Sequence, residues 1–344
     1  MSAMSLEPVP GLDFPQLSRW LEQALPDAGE LTGATLIAGG RSNLTYRLDL
    51  SGRSVALRRQ PLGHVLPTAH DMAREYRVLS ALAGSGGVPV PRPLALCTDK
   101  SVLGADFYLM EWVDGRILRT VEDAADVTPE QAGELSQRLA EALAAIHTLD
   151  VKAAGLSDFG RPEGYMARQL KRWGQQWERS KTRELPAYDK LVTRLAEGLP
   201  EHSPASLVHG DFRLDNALVR LEPKPEIAAV VDWEMSTLGD PLADLGLTLV
   251  YWLEPGEEAL PVGATVTAAP GFGTRAQFVE AYANLTGFDV DGLDYYVAFG
   301  CFKLAIILEG IHARFLQNAT VGEGFDKIGD AVPLLIDRAH TVLG

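Results

Sequence analysis

Cysteine is almost missing from this chain of 344 residues: Cys97 and Cys301 are the only two. Two thiols so far apart make no disulfide framework and lack the spacing of a zinc site, which points to a reducing, cytoplasmic setting. Positive charge is also short, with 31 Lys and Arg against 46 Asp and Glu and a formal net charge of -15. A phosphate-backbone binder needs a broad basic face, and this balance supplies none, so nucleic acid is excluded as a partner. The longest apolar stretch, Val297 to Leu308, is about a dozen residues and is broken by Lys303, which suits a buried helix and not a membrane span. The opening MSAMSLEPVPGLDF has neither the basic nor the apolar region of a secretory signal, and its Pro and Gly read as a short arm. Solenoid repeats, low-complexity tracts and a Walker A loop are absent too.

What is present is enough apolar residue, 46% of the chain, to bury a full core and to build two lobes. Leu44, Tyr46, Leu48 and Leu50 alternate, Ser51-Gly52 can turn the chain, and Val55 and Leu57 resume the period of two, which predicts a hairpin. Asp71 then caps a helix over 71–83 with Met72, Tyr76 and Leu79 on one face, and strands follow at 93–97 and 106–112. From Thr128 the pattern turns helical: Thr-Pro-Glu-Gln is a start signal, and Leu135, Leu139, Leu143 and Ile146 form one stripe. Further helices are expected over 164–180, 186–197, 274–285, 293–318 and 327–342, with a β-like island at 206–209, 217–220 and 227–231. The fold class is α+β. Residues 1–30 form an arm and helix, 31–114 a small β-rich lobe, and 115–344 a larger, mainly helical lobe, with a linker at Asp114-Gly115.

The chemistry concentrates in LVHGDFRLDNALV, residues 207–219, and IAAVVDWE, residues 227–234. One apolar strand delivers Asp211, Asn216 follows five residues later, and a second apolar strand delivers Asp232. Carboxylate, amide and carboxylate in that order suit phosphoryl transfer: one acid orients a hydroxyl and accepts its proton, while an amide oxygen and a second acid hold magnesium against nucleotide phosphates. Singly, each has a plainer reading: Asp211 as a turn cap, Asn216 as a loop amide, Asp232 as a buried partner of Arg213. His209 reads as a hydrogen-bonded histidine that shapes the turn, Asp240 and Asp244 as caps of a helix beginning near Pro241, and Glu234 as a solvated carboxylate or an aid to the metal.

His-Gly-Asp, four residues, Asn, and an isolated Asp after the next apolar strand resemble the aminoglycoside phosphotransferase family, as does GDPLADL at 239–245. The resemblance runs from about Gly39 to near Asn318, and ALRRQP, PGF and FKLAIILEGIHARF resemble the branch of kinase-like domains fused to acyl-CoA dehydrogenases. It implies a two-lobed protein-kinase-like fold, ATP and magnesium as cofactors, and a small hydroxylated molecule as acceptor. Asp211 then matches the catalytic acid, and Asn216 and Asp232 the metal ligands. On the nucleotide side, Gly40, Ser42 and Asn43 lie in a turn that can offer backbone N–H groups and a hydroxyl to phosphate. Arg58 stands where the family usually has lysine, with Glu75 as its helix partner, and Met110, Glu111 and Val113 match the hinge that lines the adenine.

The acceptor end is less defined. Tyr165, Arg168, Arg172, Trp173 and Trp177 fall where the family places acceptor helices, though an aromatic stripe reads first as packing. His312 and Arg314 are candidates for the pocket wall, and 253–272 has the composition of a lid. Arg161, Arg168, Lys171 and Arg172 favour a neutral or anionic acceptor such as a hydroxy acid or its thioester. The alternatives are an aminoglycoside-modifying kinase, a catalytically silent nucleotide-binding module suggested by Arg58, and a metal-dependent hydrolase, for which the scattered histidines lack ligand spacing. Gly271 to Ala276 fits a dinucleotide fingerprint but follows Pro270 and no strand, so it is rejected.

Overall fold

The computed structural model describes residues 7–37, 43–62, 71–200, 204–260, 264–317 and 325–344. They divide into two compact units, the first Met1–Asp114 with Ala228–Glu234, the second Gly115–Ile227 with Met235–Gly344. Residues 228–234, read from sequence with the helical lobe, count with the first unit because Val230 donates its N–H to the Pro89 carbonyl (2.7 Å).

The first unit contains α1 (Phe14–Ala24), β1 (Leu31–Leu36), β2 (Leu44–Leu50), β3 (Ser54–Arg59), α2 (Met72–Ser85), β4 (Pro93–Cys97), α3 (Lys100–Leu103) and β5 (Phe107–Glu111). Its antiparallel sheet has the order β1-β2-β3-β5-β4. The period-two residues fill the core: Tyr46, Leu48, Val55 and Leu57 are fully buried, and Leu57 stands opposite both Tyr46 and Leu109. Ala56, on the opposite face of β3, is buried too, so this strand is covered on both faces. Asp71 caps α2 by accepting from the Arg74 N–H (2.9 Å), and Gly86 ends it in the left-handed region at φ 70°.

The second unit holds α4 (Pro129–His147), α5 (Tyr165–Ser180), α6 (Pro186–Glu197), β6 (Ser206–Val208), β7 (Ala217–Arg220), the start of β8 (Glu226–Val230), β9 (Thr237–Gly239), α7 (Pro241–Tyr251), α8 (Arg275–Thr286), α9 (Leu293–Leu316) and α10 (Ala331–Leu343). Thr128 and Gln131 form a capping box on α4, and the stripe Leu135, Leu139, Leu143, Ile146 is buried. α9 is long and apolar enough to cross a membrane, yet 78% of its apolar window is covered within the fold, where α7, α10 and α5 pack on it. Its apolarity is that of a core helix. α10 begins later than the periodicity predicts, because Ile328–Asp330 closes a 3-10 turn first. The rejected glycine motif is a packing device: Gly271, at φ 97°, lies so close to the Pro129 backbone that a Cβ would fall 2.2 Å from its carbonyl oxygen. Both flanks of 253–272 are moored, by Thr267 to the Leu253 backbone (2.8 and 2.9 Å) and by Thr265 and Val266 to the Arg119 carbonyl.

Candidate active site

In the second unit, β6 runs straight into His209-Gly210-Asp211, and this loop is held almost entirely through its backbone. Asp244, one turn into α7, accepts the N–H groups of His209 (2.5 Å) and Gly210 (2.8 Å) on its two oxygens. Asp240 does cap α7, accepting from Leu242 (3.0 Å), but Asp244 is no cap; the expectation fails because its neighbour across the fold is a loop 34 residues upstream. His147 at the end of α4 stands 3.3 Å from Asp244, and Tyr282 of α8 lies 2.7 Å from the other ring nitrogen. Burial alone would raise the Asp244 carboxyl, but the hydrogen bond from His147, the neighbouring imidazoles and the Gly210 N–H outweigh it and hold it below the usual range.

Gly210 has φ 88°, and a Cβ there would sit 2.7 Å from the Met235 carbonyl oxygen, so this position is confined to glycine twice over. His209, fully buried, shapes the turn by accepting the Asp211 N–H on Nδ1 (3.2 Å). The Asp211 carboxylate accepts from Asn216 Nδ2 (3.0 Å), which also reaches the Asp211 carbonyl (2.8 Å). With Nδ2 committed in this way, the amide turns its oxygen elsewhere as a hard donor. Arg213 lies 3.6 Å from Asp211 and 3.6 Å from Asp215, with its guanidinium 4.5 Å over the Tyr251 ring. The Tyr251 hydroxyl bonds Asp211, and burial, reinforced by that carboxylate, raises its pKa. The sequence offers Arg213 as a partner for Asp232; within its own unit it stands beside Asp211 and Asp215.

In the first unit, Arg58 is the hub. It donates from Nε to Glu75 (2.7 Å) and from Nη2 to Asp232 (2.6 Å), with its side chain 11% exposed and that of Glu75 2%. Burial opposes the charge, but Glu75 and Asp232 outweigh it and raise the guanidinium pKa. Tyr108 donates to Glu75 (3.0 Å). Asp232 has φ 68°, the one non-glycine residue with positive φ among the described residues, a strain that asparagine and aspartate bear best and that concentrates at functional sites. Asn43 donates to Glu75 (2.8 Å) and to Glu234 (3.0 Å), so Glu234 is a bonded anchor and not the solvated carboxylate expected. Arg59, the neighbour not chosen, is tied to the Gly11 and Gln60 carbonyls.

Met110 is buried opposite Ala56, and Val113 is half-buried. Glu111 spends its N–H on the Arg92 carbonyl (2.8 Å). Gly40 and Ser42 lie outside the described residues. Among the described residues no cluster of three or more His, Cys, Asp or Glu could hold a metal. Trp173 and Trp177 are buried as packing, the latter stacked on Tyr188 at 4.1 Å. Arg168, expected to face an acceptor, donates instead to the Arg161 and Glu163 carbonyls.

A backbone-clamped acid paired to an amide, and a buried arginine joined to a helix glutamate and a left-handed aspartate, are the parts of a kinase-like phosphotransferase. The chain belongs to the phosphotransferase enzyme family, whose model matches residues 33–288. Within it, the chain is 37% identical over 283 residues to acyl-CoA dehydrogenase family member 10 of Mus musculus, covering 81% of this chain and 26% of that protein. It is 35% identical over 322 residues to acyl-CoA dehydrogenase family member 11 of Rattus norvegicus, covering 90% and 41%. The chain thus spans well under half of these relatives, which combine a kinase-like domain with an acyl-CoA dehydrogenase. The solved structure of a candidate aminoglycoside phosphotransferase from Ralstonia eutropha JMP134 matches with 34% identity and a TM-score of 0.81, covering 96% of this chain and 98% of that one. The aminoglycoside phosphotransferase APH(4)-Ia, solved with ADP and hygromycin B, is 17% identical with a TM-score of 0.63 over 95% of this chain and 98% of its own, and shares the fold.

Proposed function

We propose that the chain transfers the γ-phosphoryl group of ATP, with magnesium, to a hydroxyl of a small molecule. The observation that carries this reading is the bond from Asn216 Nδ2 to the Asp211 carboxylate (3.0 Å), which fixes the acid and frees the amide oxygen as a ligand. Asp211 orients the acceptor hydroxyl and takes its proton late, since a carboxylate is a weak base and orientation is its main service. Asn216 in the second unit and Asp232 in the first would each be available as a magnesium ligand. Both offer hard oxygens, and a magnesium ion that keeps waters and phosphates needs only one or two from the protein. Magnesium, when bound, would supply neutralisation of charge on the phosphates. Arg58 grips nucleotide phosphate with its remaining donor capacity while Glu75 holds it in place. The Glu111 carbonyl and the Val113 N–H meet the purine edge.

The acceptor class is the open part. Branch similarity to proteins that carry an acyl-CoA dehydrogenase supports a hydroxy acid or its thioester. The solved neighbours with hygromycin B and kanamycin, together with the net charge of -15, support an aminoglycoside as a second reading. Arg168 no longer argues for the first, since its guanidinium is spent on backbone carbonyls. Thermal shift with ATP or GTP and magnesium, followed by an ADP-release screen over hydroxy acids, their thioesters and aminoglycosides, tests the proposal. Saturable nucleotide turnover with one class is expected, and no nucleotide binding at all would refute it.

A further inference from the structure

Lys303 interrupts the most apolar stretch of the chain, in the middle of α9, where Cys301, Phe302, Ala305 and Ile306 are fully buried. It is itself 8% exposed, and its ammonium donates to the Gly210 carbonyl at 2.6 Å. The other close partner is the face of Trp173, 5.6 Å from the ring centroid. A buried ammonium given one carbonyl and one aromatic face is poorly repaid for the water it has lost, and methionine or leucine would pack the same space at less cost. Burial indeed lowers the Lys303 pKa, against the opposing pull of Asp211 and Asp244.

The carbonyl that Lys303 holds belongs to the peptide joining Gly210 to Asp211. The N–H of that same peptide donates to His209 Nδ1 at 3.2 Å, which requires that nitrogen to be unprotonated. The two preceding N–H groups end on Asp244. Three consecutive peptides are therefore fixed, the first two by a carboxylate from α7 and the last by an ammonium from α9. This last peptide and the one after it, whose carbonyl Asn216 Nδ2 holds at 2.8 Å, set the direction in which the Asp211 side chain leaves the backbone. Gly210 cannot resist rotation of the Gly210–Asp211 peptide alone, because glycine is the residue with the least backbone restraint.

We infer that Lys303 is a positioning residue for phosphoryl transfer, locking the Gly210–Asp211 peptide so that the Asp211 carboxylate meets the acceptor hydroxyl. The inference rests on the phosphotransferase reading of Asp211. Displacing a catalytic group by about 1 Å costs on the order of 10²-fold in rate, so Lys303→Met should lower kcat for magnesium-dependent ATP hydrolysis to water by about that factor. The KM for ATP should stay within about twofold, because the lysine acts on the acid and not on the nucleotide.

The test compares wild type with Lys303→Met, Lys303→Arg and Lys303→Ala, using ATP hydrolysis and NMR hydrogen exchange of selectively labelled amides. In Lys303→Met the Asp211 amide should exchange at least about tenfold faster while His209 and Gly210 keep their protection. Lys303→Arg retains a donor and should keep most of the protection, and ethylammonium should restore part of kcat to Lys303→Ala. Unchanged Asp211 exchange and unchanged kcat in a folded Lys303→Met protein would overturn the inference, as would equal loosening of all three amides. Should Lys303→Met fail to fold, amine rescue of Lys303→Ala decides it: no restored protection at Asp211 refutes positioning. If the wild type turns over no ATP while Asp211 exchange still responds to Lys303, the clamp stands and the phosphotransferase reading falls.

Discussion

Asp244→Asn is the sharpest test of how the His209–Asp211 loop is held. In the wild type, Oδ1 accepts the Gly210 N–H at 2.8 Å, and Oδ2 accepts the His209 N–H at 2.5 Å while facing His147 at 3.3 Å. An asparagine has one oxygen for these donors. Whichever way the amide turns, its NH2 group confronts a backbone N–H, so one buried donor is orphaned and one charge-assisted bond is lost. The orphan costs about 1–3 kcal/mol and the charged bond about 1.5–3 kcal/mol, which together give about 2.5–6 kcal/mol. For a unit of this size, at about 2 °C per kcal/mol, Tm should fall by about 5–12 °C.

The pH dependence supplies a second reading of the same substitution. Asp244 is held below its ordinary 3.8, burial being outweighed by His147 and the loop N–H groups. Its contribution is therefore complete above the unfolded pKa and disappears as pH falls through the folded one. Wild-type stability should drop across that acid window, and Asp244→Asn should drop less steeply there, since it has no proton to gain. Calorimetric unfolding of both proteins from neutral pH into that window measures it. An Asp244→Asn protein within about 1 kcal/mol of wild type, with the same acid slope, would refute the clamp.

Asp211→Asn should lower phosphoryl transfer by about 10²–10⁴-fold while nucleotide binding by calorimetry stays near wild type, because the acid serves the acceptor. Arg58→Met should raise the nucleotide Kd by about 10–100-fold, the worth of a charge-assisted bond, whereas Arg59→Met, which frees only the Gly11 and Gln60 carbonyls, should leave it within about twofold. Asp232→Ala should erase the difference between ATP affinity with magnesium and with chelator; a persisting difference would remove Asp232 from the metal site. Gly210→Ala should yield little folded protein by expression and circular dichroism, since its Cβ meets Met235 at 2.7 Å in a left-handed backbone.

Local pattern made the elements legible. β2 and β3 follow from alternate apolar residues, and α4 follows from Thr128, Pro129 and one leucine stripe. The triplet Asp211, Asn216 and Asp232 stands out in the sequence because its parts are close in the chain and chemically unusual, and the structure joins Asn216 to Asp211 and Asp232 to Arg58. What sequence hid are bonds between distant segments. Asp244 looks like a helix-start acid until its partners 34 and 35 residues away are known, and Lys303 looks like a blemish in an apolar run until Gly210, 93 residues away, is placed beneath it. Glu234 was misread for the same reason: Asn43 lies 191 residues from it. Neither periodicity nor propensity carries such pairings, which depend on topology.

Each unit also wires its own charges before any ligand arrives. In the first, the positive charge beside Asp232 comes from Arg58, whose Nε is fixed by Glu75, so the left-handed aspartate already has its counter-charge. In the second, Asp211 is met by Asn216, Arg213 and Tyr251 on its side chain and by His209 on its backbone, with Lys303 holding the preceding carbonyl. Groups already oriented need little reorganisation when charge develops on them, which is where electrostatic catalysis draws most of its advantage. None of these bonds involves the exposed side chains of α5 or the segment 253–272. Substitutions on those surfaces should therefore leave the bonds that orient Asp211 as they are.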